Sequence, residues 1–251
     1  MSKSLNSISN DVKQTIFECV LQAIGEDRQA AEAQMELKTH VSAPYLNWDL
    51  IYRNLIQSFG KDNVIKYSVT VRGMWTVMLL YDVQSGFLIS LMRDSRFNTI
   101  KQAKTRNRPK YVQALLQLNK ELQAKNKQQT LPGMEQGDLQ DETQILAVLD
   151  QLCSNFNCPI SFQDVNHVLV CFSGSFRGLS SLNAYVLDRD LDIVEEQNWL
   201  DMVAPVISNS IETVSKDNCK QTSLSLTTKA RERLKEKGFV GLKEKERENR
   251  A

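Results

Sequence analysis

The stretch Val64-Ile-Lys-Tyr-Ser-Val-Thr-Val71, Trp75-Thr-Val-Met-Leu-Leu-Tyr81 and Phe87-Leu-Ile-Ser-Leu-Met92 sets the fold class. Its three runs are rich in β-branched and aromatic residues and are separated by Gly73 and by Asp82-Val-Gln-Ser-Gly86. Short apolar runs punctuated by turn residues predict strands joined as an antiparallel meander. Upstream the period is helical. Ile16, Phe17, Val20, Leu21 and Ile24 form one stripe that ends at Gly25, and a polar helix is expected over Glu26 to Leu37. Asn47 is expected to open a third helix with the stripe Leu50, Ile51, Leu55, Ile56 and Phe59, closed by Gly60. Downstream, Tyr111, Leu115, Leu118 and Leu122 predict a helix from about Pro109 to Ala124.

The order then recurs. After Lys125 to Gln140, a polar stretch with Pro132, Gly133 and Gly137 that reads as a linker, the stripe Ile145, Leu146, Leu149 and Leu152 predicts a helix. Strands are expected at His167 to Phe172, Leu182 to Leu187 and Leu191 to Val194, and a helix near Leu200 to Ile211. The expected fold is therefore α+β, with two helix-flanked antiparallel meander units over 1–124 and 141–214, the linker 125–140, and a charged tail over 215–251. Tyr81-Asp-Val-Gln-Ser-Gly-Phe-Leu-Ile and Tyr185-Val-Leu-Asp-Arg-Asp-Leu-Asp-Ile read as equivalent hairpins. A diverged duplication and the chance recurrence of a common unit both account for them.

With 251 residues, 41% of them hydrophobic, the chain can bury a substantial core, and a net charge of +1 gives no global attraction to nucleic acid or to an anionic membrane. No apolar run approaches the roughly 20 residues of a membrane span, and Met1 to Asn10 has no apolar signal-peptide core, so a cytoplasmic protein with no membrane partner is expected. The cysteines, Cys19, Cys153, Cys158, Cys171 and Cys219, are scattered with no CxxC pair, which argues for reduced, buried thiols and against a zinc knuckle.

Catalytic signatures are sparse. The two histidines, His40 and His167, have no metal-ligand spacing, and neither GxGxxG nor a P-loop occurs, so no cofactor is expected. The nearest phosphate-binding element is the turn Ser173-Gly-Ser-Phe-Arg-Gly178, in which Ser173, Ser175 and Arg177 could meet an anion; a plain hairpin is the competing reading. Asp188, Asp190 and Asp192, if they alternate on one strand face, could hold a metal, although such a row more often marks a protected sheet edge. A nuclease would need a Glu-x-Lys triplet nearby, and Glu195-Glu-Gln lacks the lysine.

The stronger signal is local charge. Arg93 to Lys110 holds seven bases against one acid, and Asp188 to Asp201 holds six acids against one base. The bases Arg93, Arg96, Lys101, Lys104, Arg106, Arg108 and Lys110, supported by Trp75 and Tyr111, are the candidate partner-binding residues. A protein is the first expected partner and nucleic acid the alternative; the oligomeric state is not set by the sequence. The acidic stretch is itself an expected docking partner for the basic one, within the chain or between subunits. Gln128-Gln-Thr-Leu131-Pro-Gly-Met134 distantly resembles the glutamine-plus-hydrophobe peptides that bind the bacterial replication sliding clamp, without their aromatic anchor.

Trp75 with Tyr81-Asp82 and Gly86-Phe-Leu, Met92-Arg to Arg96-Phe97, and Tyr111-Val-Gln-Ala-Leu-Leu to Leu118-Asn119 resemble an uncharacterised domain family of low-GC Gram-positive bacteria and their phages, over roughly residues 45 to 200. That resemblance brings no activity with it. It implies a bacterial or phage accessory protein that binds, and in doing so inhibits, a macromolecular partner; the alternative is a metal-dependent enzyme acting on nucleic acid or nucleotides.

Overall fold

The computed structural model describes residues 3–36, 39, 41–60, 64–73, 75–103, 107–124, 139–156, 164–175 and 178–201. Ser9 caps the first helix, α1 (Asn10–Ile24), by accepting from the Val12 N–H at 3.3 Å. It is followed by α2 (Glu26–Gln34) and α3 (Ala43–Phe59). The last of these starts at Ala43 with Pro44 in its first turn, four residues before the expected Asn47, which is buried inside it. Then come β1 (Ile65–Arg72), β2 (Trp75–Asp82) and β3 (Phe87–Arg93), the helices α4 (Asp94–Gln102), α5 (Lys110–Leu116) and α6 (Leu139–Cys153), and β4 (Asn166–Ser175), β5 (Gly178–Leu187) and β6 (Ile193–Asn198).

The protein is α+β, as the sequence implies, and all six strands lie in one sheet in the order β1-β2-β3-β4-β5-β6. Each meander is antiparallel, but β3 and β4 pair in parallel from Phe87↔Asn166 to Arg93↔Phe172. The halves expected on either side of 125–140 thus contribute three neighbouring strands each to the same sheet. Parallel neighbours cannot be joined by a hairpin, so everything from α4 to α6 belongs to a crossover between β3 and β4. Residues 125–138, including the clamp-like peptide, lie outside the described residues, as do those beyond Asp201.

Helices cover both faces. On one, α1 and α3 pack on Met78, Leu80, Phe87, Ile89, Val168, Val170 and Phe172. On the other, α5 and α6 pack on Leu79 and Leu88, and α4 and α5 on Met92, Leu169 and Cys171. This explains why β3 and β4 read as continuous apolar runs: both of their faces are interior. The outer edge of β6 is met by the N-terminal turn, where Ser4 Oγ and the Leu5 N–H both donate to Glu195, at 2.8 and 3.0 Å. At the other edge, the Ser68 and Thr70 hydroxyls of β1 donate to the Leu152 carbonyl, and Asn155 Nδ2 donates to the Val69 carbonyl.

A polar seam crosses the apolar interior on the crossover side. Asn119, fully buried, donates to the carbonyls of His167 (2.9 Å) and Leu187 (2.8 Å) and accepts from the His167 N–H (2.8 Å). These bonds turn the chain inward. The helix expected to reach Ala124 therefore ends at Leu116 in a 3₁₀ turn over Gln117–Asn119. The His167 ring meets Ser90 Oγ at 2.8 Å through Nε2. Asn119→Ala removes three bonds from buried groups and is expected to cost about 2–4 kcal/mol in urea unfolding.

Burial lowers the His167 pKa from 6.5 to about 3, so the folded protein keeps the ring neutral. That contribution to stability is complete above pH 6.5 and is lost as the pH falls from there toward 3, because the unfolded chain takes up the proton first. Between pH 6.5 and 5 this one group is expected to lower stability by about 1.6 kcal/mol in all, the slope steepening toward about 1.4 kcal/mol per pH unit. Denaturant unfolding of His167→Gln across that window is expected to show a correspondingly flatter pH dependence.

Candidate functional site

The two turns at one end of the sheet are built alike. Asp82 accepts from the Gln84 N–H (3.0 Å) and the Ser85 hydroxyl (2.6 Å), and Asp188 accepts from the N–H groups of Asp190 (2.9 Å) and Asp192 (3.0 Å). Both carboxylates are buried, and both turns use a left-handed residue, Gly86 (φ +69°) and Leu191 (φ +71°). The row expected from Asp188, Asp190 and Asp192 is therefore a turn and not a strand face, because Asp188 folds the backbone around its own oxygens. Among the described residues, no group of three or more His, Cys, Asp and Glu side chains is placed to hold a metal ion.

On either side of the expected phosphate-binding turn, β4 and β5 pair as far as Ser175↔Gly178, with an irregularity between Ser173 and Gly174. Gly174 is required there for packing: a Cβ would lie 2.6 Å from Ile24 Cδ1 and 2.8 Å from the Gly178 carbonyl oxygen. Ser173 and Ser175 are exposed, and Arg177 lies outside the described residues.

The opposite end of the sheet differs at β2 and β3. Their ladder runs only from Leu79↔Ser90 to Asp82↔Phe87. Beyond it, Trp75–Met78 pair with β1 alone and Leu91–Arg93 with β4 alone. The strands thus part to leave a notch between them. Tyr52 of α3 reaches it from one face, its hydroxyl donating to the Thr76 carbonyl at 3.1 Å. Tyr111 of α5 comes from the other face, near enough to help raise the Tyr52 pKa. Burial raises the pKa of both, and the Arg96 charge partly offsets the rise at Tyr111.

Arg93 ends β3 beside this notch. Its Nε is buried with no hydrogen-bond partner, and no ion pair to a carboxylate is formed by it among the described residues. Its pKa is lowered by burial and then by the neighbouring Arg28 of α2, whose own Nε is bound to Glu32 at 2.7 Å. Aromatic rings line the same end. Trp48 packs edge-on against Phe172 at 5.4 Å and tilted against Tyr52 at 5.5 Å, and Tyr45 stacks on Trp75 at 5.6 Å with the planes 22° apart. Trp75 and Tyr45 are 59% and 51% exposed, an open aromatic pair rather than core.

The structure therefore divides the expected basic segment. Arg93, Arg96 and Tyr111 gather at the notch, with Trp75 on the β2 lip. Lys101 is exposed on α4, with its ammonium 6.0 Å from the Phe97 ring. Arg108 is turned toward the acidic turn, donating to the Asp190 carbonyl at 3.1 Å, and Lys110 donates to Gln144 at 2.6 Å. Lys104 and Arg106 lie outside the described residues. Arg28, Tyr45, Trp48 and Tyr52 belong to this end too, although nothing in their sequence spacing points to β3.

Among the described residues, burial raises the thiol pKa of Cys19 and Cys171, and that of Cys153 to about 12, and His167 is enclosed.

The chain belongs to the Family of unknown function (DUF5986). The family model matches residues 5–242, so membership covers both meanders and the crossover. Neither a curated protein nor a solved structure matches the chain. No helix among the described residues is long and apolar enough to cross a membrane.

The exposure of Trp75 separates a surface role from a structural one. Trp75→Ala is expected to change stability by less than about 1 kcal/mol, whereas Trp199→Ala, which empties a fully buried site, is expected to cost about 3–5 kcal/mol in chemical denaturation.

Proposed function

We propose that this protein is a non-enzymatic accessory protein, of a bacterium or phage and acting in the cytoplasm, that holds and thereby inhibits a macromolecular partner at the notched end of its sheet. The observation that carries the reading is the exposed Tyr45–Trp75 stack at the notched end, with Arg96 and Lys101 exposed on α4. Tryptophan, tyrosine and arginine are the residues that dominate macromolecular contact energies. An acidic protein surface is the first partner this proposal names, since solvent-facing guanidinium and ammonium groups attract carboxylates and speed encounter. The enzymatic alternative draws on Asp188, Asp190 and Asp192, and Asp188 is already committed to its own turn.

The test is quantitative capture from a nuclease-treated lysate by the wild-type chain and by the double variant Arg96→Glu, Lys101→Glu. Both side chains are exposed, so the fold is expected to survive the change. A partner bound by the wild type at least about tenfold more strongly than by the variant is the expected result. Equal capture by the two chains defeats the proposal, and capture abolished by nuclease reassigns the partner to nucleic acid.

A further inference from the structure

We propose that the notch between β2 and β3 is a receptor for a phosphate group, held by Arg93 with Arg28 beside it. The inference rests on the reading of this end as a binding surface, but it uses residues that the partner test leaves untouched.

Three observations converge. First, the β2–β3 ladder stops at Leu79↔Ser90, so Leu91–Arg93 have no strand partner on the β2 side. Second, Arg93 ends β3 there with a buried Nε that has no partner. A buried donor without an acceptor is expensive, and more so when it carries charge, so such a group calls for a partner that binds from outside. Third, the neighbouring carboxylates are already committed: Glu32 accepts from Arg28, and Asp94 accepts from the Ser181 hydroxyl. Arg28 is paired with Glu32, and Arg93 forms no ion pair with a carboxylate among the described residues.

The shape of the donor set favours phosphate over carboxylate. The two guanidiniums come from different elements, α2 and the end of β3. A planar carboxylate matches the fork of a single arginine, whereas a tetrahedral oxyanion presents acceptors to both. The Tyr45–Trp75 stack on the adjoining lip adds an aromatic platform of the kind on which nucleic-acid bases stack. The phosphate can come from free anion or from a nucleic-acid backbone, and the two sources are separable by experiment.

Thermal unfolding of the full chain is followed in rising inorganic phosphate, with sodium chloride and sodium acetate at matched ionic strength as controls, for the wild type, Arg93→Gln and Arg93→Lys. The wild-type midpoint is expected to rise on the order of 5 °C as phosphate saturates the site. Arg93→Gln is expected to lose the rise, with a roughly tenfold or greater drop in phosphate affinity, and Arg93→Lys to recover part of it. Arg93→Gln without phosphate is expected to unfold cooperatively at a midpoint no lower than wild type, since an unpaired buried donor has been removed. A second arm adds the single-stranded oligonucleotide (dT)8. Binding of (dT)8 that competes with phosphate assigns the group to a nucleic-acid backbone, and phosphate binding without competition assigns it to free anion.

An equal rise with acetate, a rise retained in Arg93→Gln, or no rise in the wild type overturns the proposal. The Arg96→Glu, Lys101→Glu variant keeps Arg93 and Arg28. A phosphate effect that persists in a chain with no partner binding therefore separates failure of the partner reading from failure of this one.

Discussion

Parallel pairing of β3 with β4 is the constraint on which the remaining architecture depends. Two parallel neighbours demand a long crossover, and the crossover supplies α4, α5 and α6 as a layer over one face. The other face is left for α1 and α3, so both central strands are enclosed. Each antiparallel meander alone would bury one face; joined, they require helices on both.

The same constraint explains the polar seam. The chain leaving α5 must pass the start of β4 and the end of β5, where the carbonyls of His167 and Leu187 face the interior. Asn119 satisfies both while its own oxygen takes the His167 N–H. A side chain with two donors and an acceptor suits that junction, and an apolar residue would leave buried backbone groups unpaired. Seam and crossover are thus one structural solution, and the neutral His167 beside Ser90 belongs to it.

Where β2 and β3 part, the logic reverses. The meander is tightly paired near its Asp82 turn, whose carboxylate organises its own loop, and unpaired at the far end, where side chains from both helical layers approach the gap. The turns at Asp82 and Asp188 hold their carboxylates with their own backbone N–H and hydroxyl groups. Charged sequence is abundant at both ends, and buried guanidinium nitrogens without a partner occur at both, on Arg93 and on Arg108.

Local pattern was enough to place the strands and most of the helices, because apolar periodicity records which face of an element is buried, and glycine or aspartate records where the chain turns. The shared design of the Asp82 and Asp188 turns was legible for the same reason: an Asx turn closes within a few residues. Trp75, Arg93, Arg96 and Tyr111 stood out as chemistry-bearing residues. Tertiary structure alone decided that β3 lies beside β4, that Asn119 is a junction, that Arg108 turns to the Asp190 loop while Arg93 faces Arg28, and that Tyr52 meets the notch. Periodicity states that a surface is buried but not against what, and contacts between residues distant in the chain leave no local signature.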